Sequence, residues 1–225
     1  MRVNVHKKVP SPQSETAPLL HGVVFDIDGV IFDSKEANTG YYNQILAELG
    51  LPPMSEKDVE YCHMATGKQA LERIVPKYLQ AHELKEAQQA IPYFEFVVSK
   101  LELEKGLVET LNWLKNREIQ LGICTNRLTR VPELLEHFGI AHFFSSIKTA
   151  SNAEPKPSPQ GLLDTLTEWS LSPLQAVFIG DTIADQMAAH QANMVFWAFG
   201  NPDLEADEHF SAYAPLLDFL PSVVK

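Results

Sequence analysis

The run Val23-Val24-Phe25-Asp26-Ile27-Asp28-Gly29-Val30 constrains the fold of this chain more than any other stretch. Its first residues are β-branched or aromatic without polar alternation, which fits a strand buried on both faces. Gly29 gives the backbone freedom to turn sharply where that strand ends. Asp26 therefore falls at the carboxyl end of a central strand. Ligands of open α/β sheets bind along that edge, so a pair of acids there is a candidate site.

Composition limits the partners of such a site. The chain has 225 residues, 45% of them hydrophobic, ample for a buried core. Eighteen Lys plus Arg stand against 29 Asp plus Glu, a formal charge of −11, which argues against nucleic-acid and anionic membrane surfaces as partners. An acidic protein that binds an anion must gather cations locally. Cys62 and Cys124 lie far apart without paired spacing and read as reduced thiols of a cytoplasmic chain. No segment approaches the ~20 apolar residues of a membrane span, and the start lacks the apolar stretch of a signal peptide. Residues 1–18 are polar, contain Pro10, Pro12 and Pro18, and are expected to form a flexible tail.

After the first strand, Asp33 or Ser34 can cap a helix, with Glu36 in the capping-box position relative to Asp33. Tyr42, Ile45, Leu46 and Leu49 give that helix one apolar face, and Gly50 before Pro52-Pro53 ends it. The pattern then stays helical, over Gln69 to Leu79, Glu83 to Ala90 and Tyr93 to Leu101, with no strand alternation. Residues 34–103 are expected to be an all-helical block inserted into an α/β core made of residues 19–33 and 104–225.

From Leu107 onward helices and strands alternate. Helices are expected over Leu107 to Lys115, Pro132 to Phe138, Pro159 to Trp169 and Ala184 to Gln191. Strands are expected over Ile119 to Cys124, Phe143 to Lys148, Ala176 to Ile179 and, last, Met194 to Ala198. Strands joined by single helices imply right-handed crossovers, and hence a parallel, Rossmann-like sheet with helices on both faces.

Parallel strands share a direction, so their carboxyl ends share an edge. There the sequence places Asp26 and Asp28, then Thr125-Asn126, then Gly180-Asp181-Thr182 with Asp185. Lys156, in Lys156-Pro157-Ser158-Pro159, heads a helix on the same edge. Four carboxylates against one lysine are untenable without further cations or raised pKa values. Hard carboxylate oxygens favour Mg²⁺, which keeps several waters and binds beside phosphate. Thr125, Asn126 and backbone N–H groups at helix starts can donate to phosphate oxygens. The residue types thus point to Mg²⁺-assisted phosphoryl transfer.

These four motifs, in this order, resemble those of the haloacid dehalogenase superfamily, in the subgroup with a helical cap after the first motif. The likeness spans about residues 21 to 201. It implies a phosphatase acting on a small phosphorylated metabolite, with Asp26 as nucleophile and Asp28 as the acid that protonates the leaving oxygen and then activates water. By the same resemblance Thr125 and Asn126 bind the phosphoryl oxygens and Lys156 neutralises charge. Asp26, Asp28 through its backbone carbonyl, and Asp181 would hold Mg²⁺. Asp185 would hold it through water or orient Lys156. The cap would close over the site and select the leaving group.

His63-Met64-Ala65-Thr66-Gly67-Lys68 lies where this family places its substrate-facing loop, which makes His63 and Lys68 candidate leaving-group contacts. The histidines form no ligand pair, which argues against zinc. Trp113, Trp169 and Trp197 read as core. Asp28 argues against the dehalogenase and phosphonatase branches, whose motifs lack it, although a cap Lys68 could in principle form a Schiff base. Gly180-Asp181 with Asp185 resembles phosphoglycolate-phosphatase-like members more than sugar mutases, which tend to have Glu-Asp there. A β-phosphoglucomutase-like mutase and a non-catalytic binding module of the same fold are the alternatives. Lys105-Gly106, Arg127 and Asn193 depart from the usual Pro-Gly, lysine and glycine, and none is expected to touch the chemistry. Substrate identity and oligomeric state are not legible.

Overall fold

The computed structural model describes residues 19–128 and 130–224, so the expected tail lies outside the described residues. Six strands form one parallel sheet: β1 (Gly22–Phe25), β4 (Gln120–Cys124), β5 (Ser146–Lys148), β6 (Ala176–Gly180), β7 (Val195–Phe199) and β8 (Glu208–Phe210). Their order is β5-β4-β1-β6-β7-β8. β1 is thus flanked on both sides, pairing Val24 with Gly122 of β4 and with Phe178 of β6.

Alternate residues of β1 feed two cores. Val23 and Phe25 pack with Leu107, Leu111 and Leu114 of α6 (Leu107–Lys115) and Leu134 and Leu135 of α7 (Val131–His137). Val24 packs with Leu162 and Leu166 of α8 (Gln160–Trp169) and Ala188 and Ala189 of α9 (Ile183–Gln191). Burial of β1 on both faces explains its unbroken apolar run. Asn193, just past α9, has φ 53°, the left-handed conformation that a helix end takes and asparagine tolerates.

Between β1 and β4 lie five helices: α1 (Lys35–Glu48), α2 (Glu56–Met64), α3 (Gly67–Ile74), α4 (Ala81–Ala90) and α5 (Tyr93–Val98). α1 packs against α2, α4 and α5, burying Tyr41, Tyr42 and Ile45. None of the described helices is long and apolar enough to cross a membrane.

Several details differ from the sequence reading. α2 is an additional helix, started by Ser55, whose hydroxyl accepts from the Asp58 N–H. The loop expected over residues 63–68 shrinks to Ala65-Thr66, with His63 in the last turn of α2 and Lys68 in the first turn of α3. Ser34 precedes α1, but its side chain makes no capping bond. Two short strands, β2 (Phe32–Asp33) and β3 (Glu102–Leu103), pair antiparallel where the helical block leaves and rejoins the core. Two residues are too few to show alternation. β7 is not the last strand: β8 follows it, then α10 (Tyr213–Phe219).

The Trp169 ring lies over β4. A Cβ added to Gly122 would stand 2.8 Å from Trp169 Cζ2 and 3.3 Å from the Ser146 carbonyl oxygen. The tryptophan is a rigid ring whose Nε1 donates to Ser145 Oγ, so it cannot yield cheaply. Gly122→Ala is expected to lower stability by about 1–3 kcal/mol in urea unfolding, and pairing it with Trp169→Leu should recover part of that loss.

Candidate active site

β1 ends at Phe25, and Asp26 follows with its N–H donating to the Ile179 carbonyl of β6. The chain then turns through Ile27 to Phe32, with Gly29 at φ +76°. A Cβ on Gly29 would fall 2.1 Å from Asp181 Oδ2. Glycine is therefore required twice over, for the backbone conformation and for the approach of the β6 carboxylate.

One ligand oxygen from each of Asp26, Asp181 and Asp185 lies within 4.8 Å of the others. Lys156 stands among them, with its ammonium 2.8 Å from Asp26 Oδ1 and in contact with Asp185 Oδ1. The lysine side chain is 3% exposed and that of Asp185 0%. The Asp26 contact is an ion pair without hydrogen-bond geometry, and Asp26 Oδ1 and Asp181 Oδ1 are both buried without a hydrogen-bond partner. Burial, followed by Asp185, Asp181 and Asp28, pushes the Asp26 carboxyl up to about 8 against the pull of Lys156. Burial likewise raises Asp181. Burial by itself would lower Lys156, but Asp185 and Asp26 raise it, so the amine stays charged.

Asp185 is already committed on both oxygens. One holds Lys156, and the other accepts from the Thr182 N–H and hydroxyl in the capping box that starts α9. Its geometry is that of a residue orienting Lys156.

Asn126 is a brace. Its Oδ1 accepts from the Lys156 N–H at 2.8 Å, and its Nδ2 donates to the carbonyls of Lys156 and Met64. The last bond ties the core to the end of α2. Thr125 is buried beside the carboxylates and lines the same cavity.

His63 and Lys68 part company. His63 Nε2 lies 2.8 Å from Asp181 Oδ2, which raises the imidazole against the lowering effect of its burial. Lys68 is 76% exposed at the cavity rim, near Glu72. It lacks the desolvation that activates a Schiff-base amine.

The expectation that Arg127 stays clear of the chemistry does not hold. Its Nε and Nη2 grip both oxygens of Asp28 at 2.8 and 2.7 Å. Asn38 Nδ2 also donates to Asp28, and Tyr93 Oη donates to Asn38 Oδ1. Burial opposes ionisation of Asp28, yet Arg127 holds its carboxyl well below the usual range. A cation two residues past Thr125, on the same strand edge, was the available signal. Nothing in the sequence pointed to Asn38 or Tyr93.

A profile of the haloacid dehalogenase-like hydrolases matches residues 23–199, which covers all four motifs. The chain belongs to this family. It is 28% identical to a phosphoglycolate phosphatase of Agrobacterium fabrum over 221 residues, spanning 89% of this chain and 93% of that one. A solved HAD-superfamily hydrolase, subfamily IA, variant 1, from Geobacter sulfurreducens is 33% identical, with a TM-score of 0.72 over 92% of this chain and 99% of that one. The β-phosphoglucomutase of Clostridium difficile, 20% identical, shares the fold with a TM-score of 0.77 over 90% of this chain and 98% of its own.

The Arg127–Asp28 pair carries a stability prediction. Asp28 is depressed when folded, so its contribution is complete above the ordinary carboxylate pKa of about 4 and is lost as pH falls through the lowered folded value. Arg127→Met strands a buried carboxylate and should cost about 3–5 kcal/mol at pH 7. In urea unfolding the gap from wild type should narrow as pH falls from 7 toward about 4, because the stranded Asp28 of the variant takes up a proton while the paired Asp28 of wild type stays ionised. Adding Asp28→Asn should recover most of the loss at pH 7.

Proposed function

We propose that this hydrolase is a Mg²⁺-dependent phosphatase of small phosphorylated metabolites, with Asp26 as nucleophile. The observation that carries the reading is Lys156, buried between Asp26 and Asp185 beside two carboxylate oxygens that have no hydrogen-bond partner. Such a cluster is built for an anion and a hard cation together. The phosphatase relative that matches nearly the whole chain supports the same reading.

The residues fit a divalent cation. Asp26 and Asp181 each offer a buried oxygen without a hydrogen-bond partner, and the Asp28 backbone carbonyl would complete the protein ligands. When bound, Mg²⁺ supplies charge neutralisation that favours the ionised, nucleophilic form of Asp26 and stabilises charge on the phosphoryl oxygens.

Asp26 attacks phosphorus, and the bond to the leaving oxygen breaks to give an aspartyl-phosphate. Thr125 and Lys156 hold the phosphoryl oxygens, and Asp185 fixes the lysine for that purpose. Asp28 protonates the leaving oxygen and then takes a proton from the attacking water. As long as Arg127 grips both its oxygens, Asp28 is held as a carboxylate and cannot serve as the acid. Substrate entry must therefore draw the guanidinium away. The helical block acts as the cap, with His63 meeting Asp181 and Met64 meeting Asn126 on closure, so that water is excluded.

Purified protein with Mg²⁺ should release inorganic phosphate from monoesters, and Asp26→Asn should lower kcat at least about a thousandfold without loss of fold. Chelation should abolish turnover and Mg²⁺ should restore it, while Asp181→Asn should raise the Mg²⁺ concentration needed for half-maximal rate. Phosphate release persisting in Asp26→Asn would exclude this nucleophile.

A further inference from the structure

The cavity above Asp26 has a volume of about 1010 Å³. That volume is not the gap under a raised lid. The helical block already touches the core through His63 and Asp181 at 2.8 Å, and through Asn126 Nδ2 and the Met64 carbonyl at 3.0 Å. The space lies between the block and the core and is lined by both. At roughly 30 Å³ per liquid water the cavity would hold on the order of thirty waters, whereas a two-carbon phosphorylated acid has only about nine non-hydrogen atoms.

The lining is graded. At the floor are Asp26, Asp28, Thr125 and Lys156. Above it the wall is aromatic and aliphatic, formed by Tyr41, Tyr42, Tyr93, Leu71, Val75 and Leu84. Tyr41 and Tyr93 meet edge to face at 4.8 Å. The Tyr93 hydroxyl is spent on Asn38, so the ring itself is what Tyr93 brings to the wall. Gln88 and Lys77 also line the cavity and offer polar contacts beside this apolar wall. A short hydroxyacid would leave the wall wet. A flat apolar ring would cover it, with favourable stacking on tyrosine.

We infer that the substrate is a phosphomonoester whose leaving alcohol carries a planar ring, seated on the Tyr41–Tyr93–Leu84 wall while the phosphoryl group meets Asp26. This rests on the phosphatase reading. In the reaction the P–O bond to the ring alcohol breaks and an Asp26–P bond forms. Water then cleaves that bond, giving inorganic phosphate and the free alcohol with no further reactant.

The test measures kcat/KM with Mg²⁺ for acetyl phosphate, 2-phosphoglycolate, pyridoxal 5′-phosphate and a nucleoside 5′-monophosphate, in wild type and in Leu84→Trp, which fills the wall. At least one ring ester should exceed 2-phosphoglycolate by about tenfold or more, and Leu84→Trp should lower the ratio of that ester to acetyl phosphate about tenfold, chiefly through KM. Val75→Trp serves the same purpose if the first variant fails to fold. Which ring ester leads separates a single-ring pocket from a nucleoside pocket, and either supports the inference. Turnover in which 2-phosphoglycolate leads, or a ring-to-acetyl-phosphate ratio untouched by the filled wall, would overturn it. No turnover of any compound, acetyl phosphate included, would instead bring down the phosphatase reading and this inference with it.

Discussion

The site depends on one buried ammonium group. Lys156 lies between Asp26 and Asp185 with almost no exposure, and its charge offsets that of the acids packed around it in a desolvated crevice. The surrounding structure serves that placement. Asn126 fixes the Lys156 backbone, and Asp185 is itself fixed by the Thr182 cap. The parallel order β4-β1-β6 brings these strand ends to one edge. Even so, one lysine does not balance the acids. Burial and the neighbouring carboxylates still raise Asp26 to about 8, which is consistent with the proposed role of a divalent cation beside it.

The two acids of the first motif are held in opposite electrostatic states. Asp26 faces its own kind and a single lysine, while Asp28 is enclosed by Arg127 and Asn38. Two identical side chains two residues apart are thereby pushed apart in acidity, with the proposed nucleophile raised and the proposed acid lowered, so the proposed chemistry needs a cation beside Asp26 and release of Asp28 from Arg127. The Tyr93–Asn38–Asp28 chain also joins α5 to this pair. Two helices of the helical block, α1 directly and α5 through Asn38, are thus hydrogen-bonded to the acid of the core.

Much of this was legible in the sequence because it rests on local rules. The apolar run before Asp26, the end of α1 before Gly50, and Asn193 past α9 each follow from backbone chemistry that acts over a few residues. The helical block is legible in the sequence, but α2 is not, because its apolar positions are sparse, with Cys62 its one buried residue. β2, β3 and β8 have two or three residues each, too short for any period to register. The role of Arg127 is not legible for a different reason. A guanidinium after a strand reads as solvated by default, and only the three-dimensional position of Asp28, 99 residues away in sequence, captures it. The His63 contact with Asp181 spans 118 residues and is likewise invisible to local pattern.

The account stands or falls on where the phosphoryl group goes first. Rapid quenching during turnover, followed by borohydride reduction, converts an acyl phosphate on aspartate to homoserine, which peptide mass spectrometry then locates. The account predicts homoserine at position 26 alone, dependent on both the phosphoester and Mg²⁺. Homoserine at another aspartate, or steady phosphate release with Asp26 never modified, would contradict it.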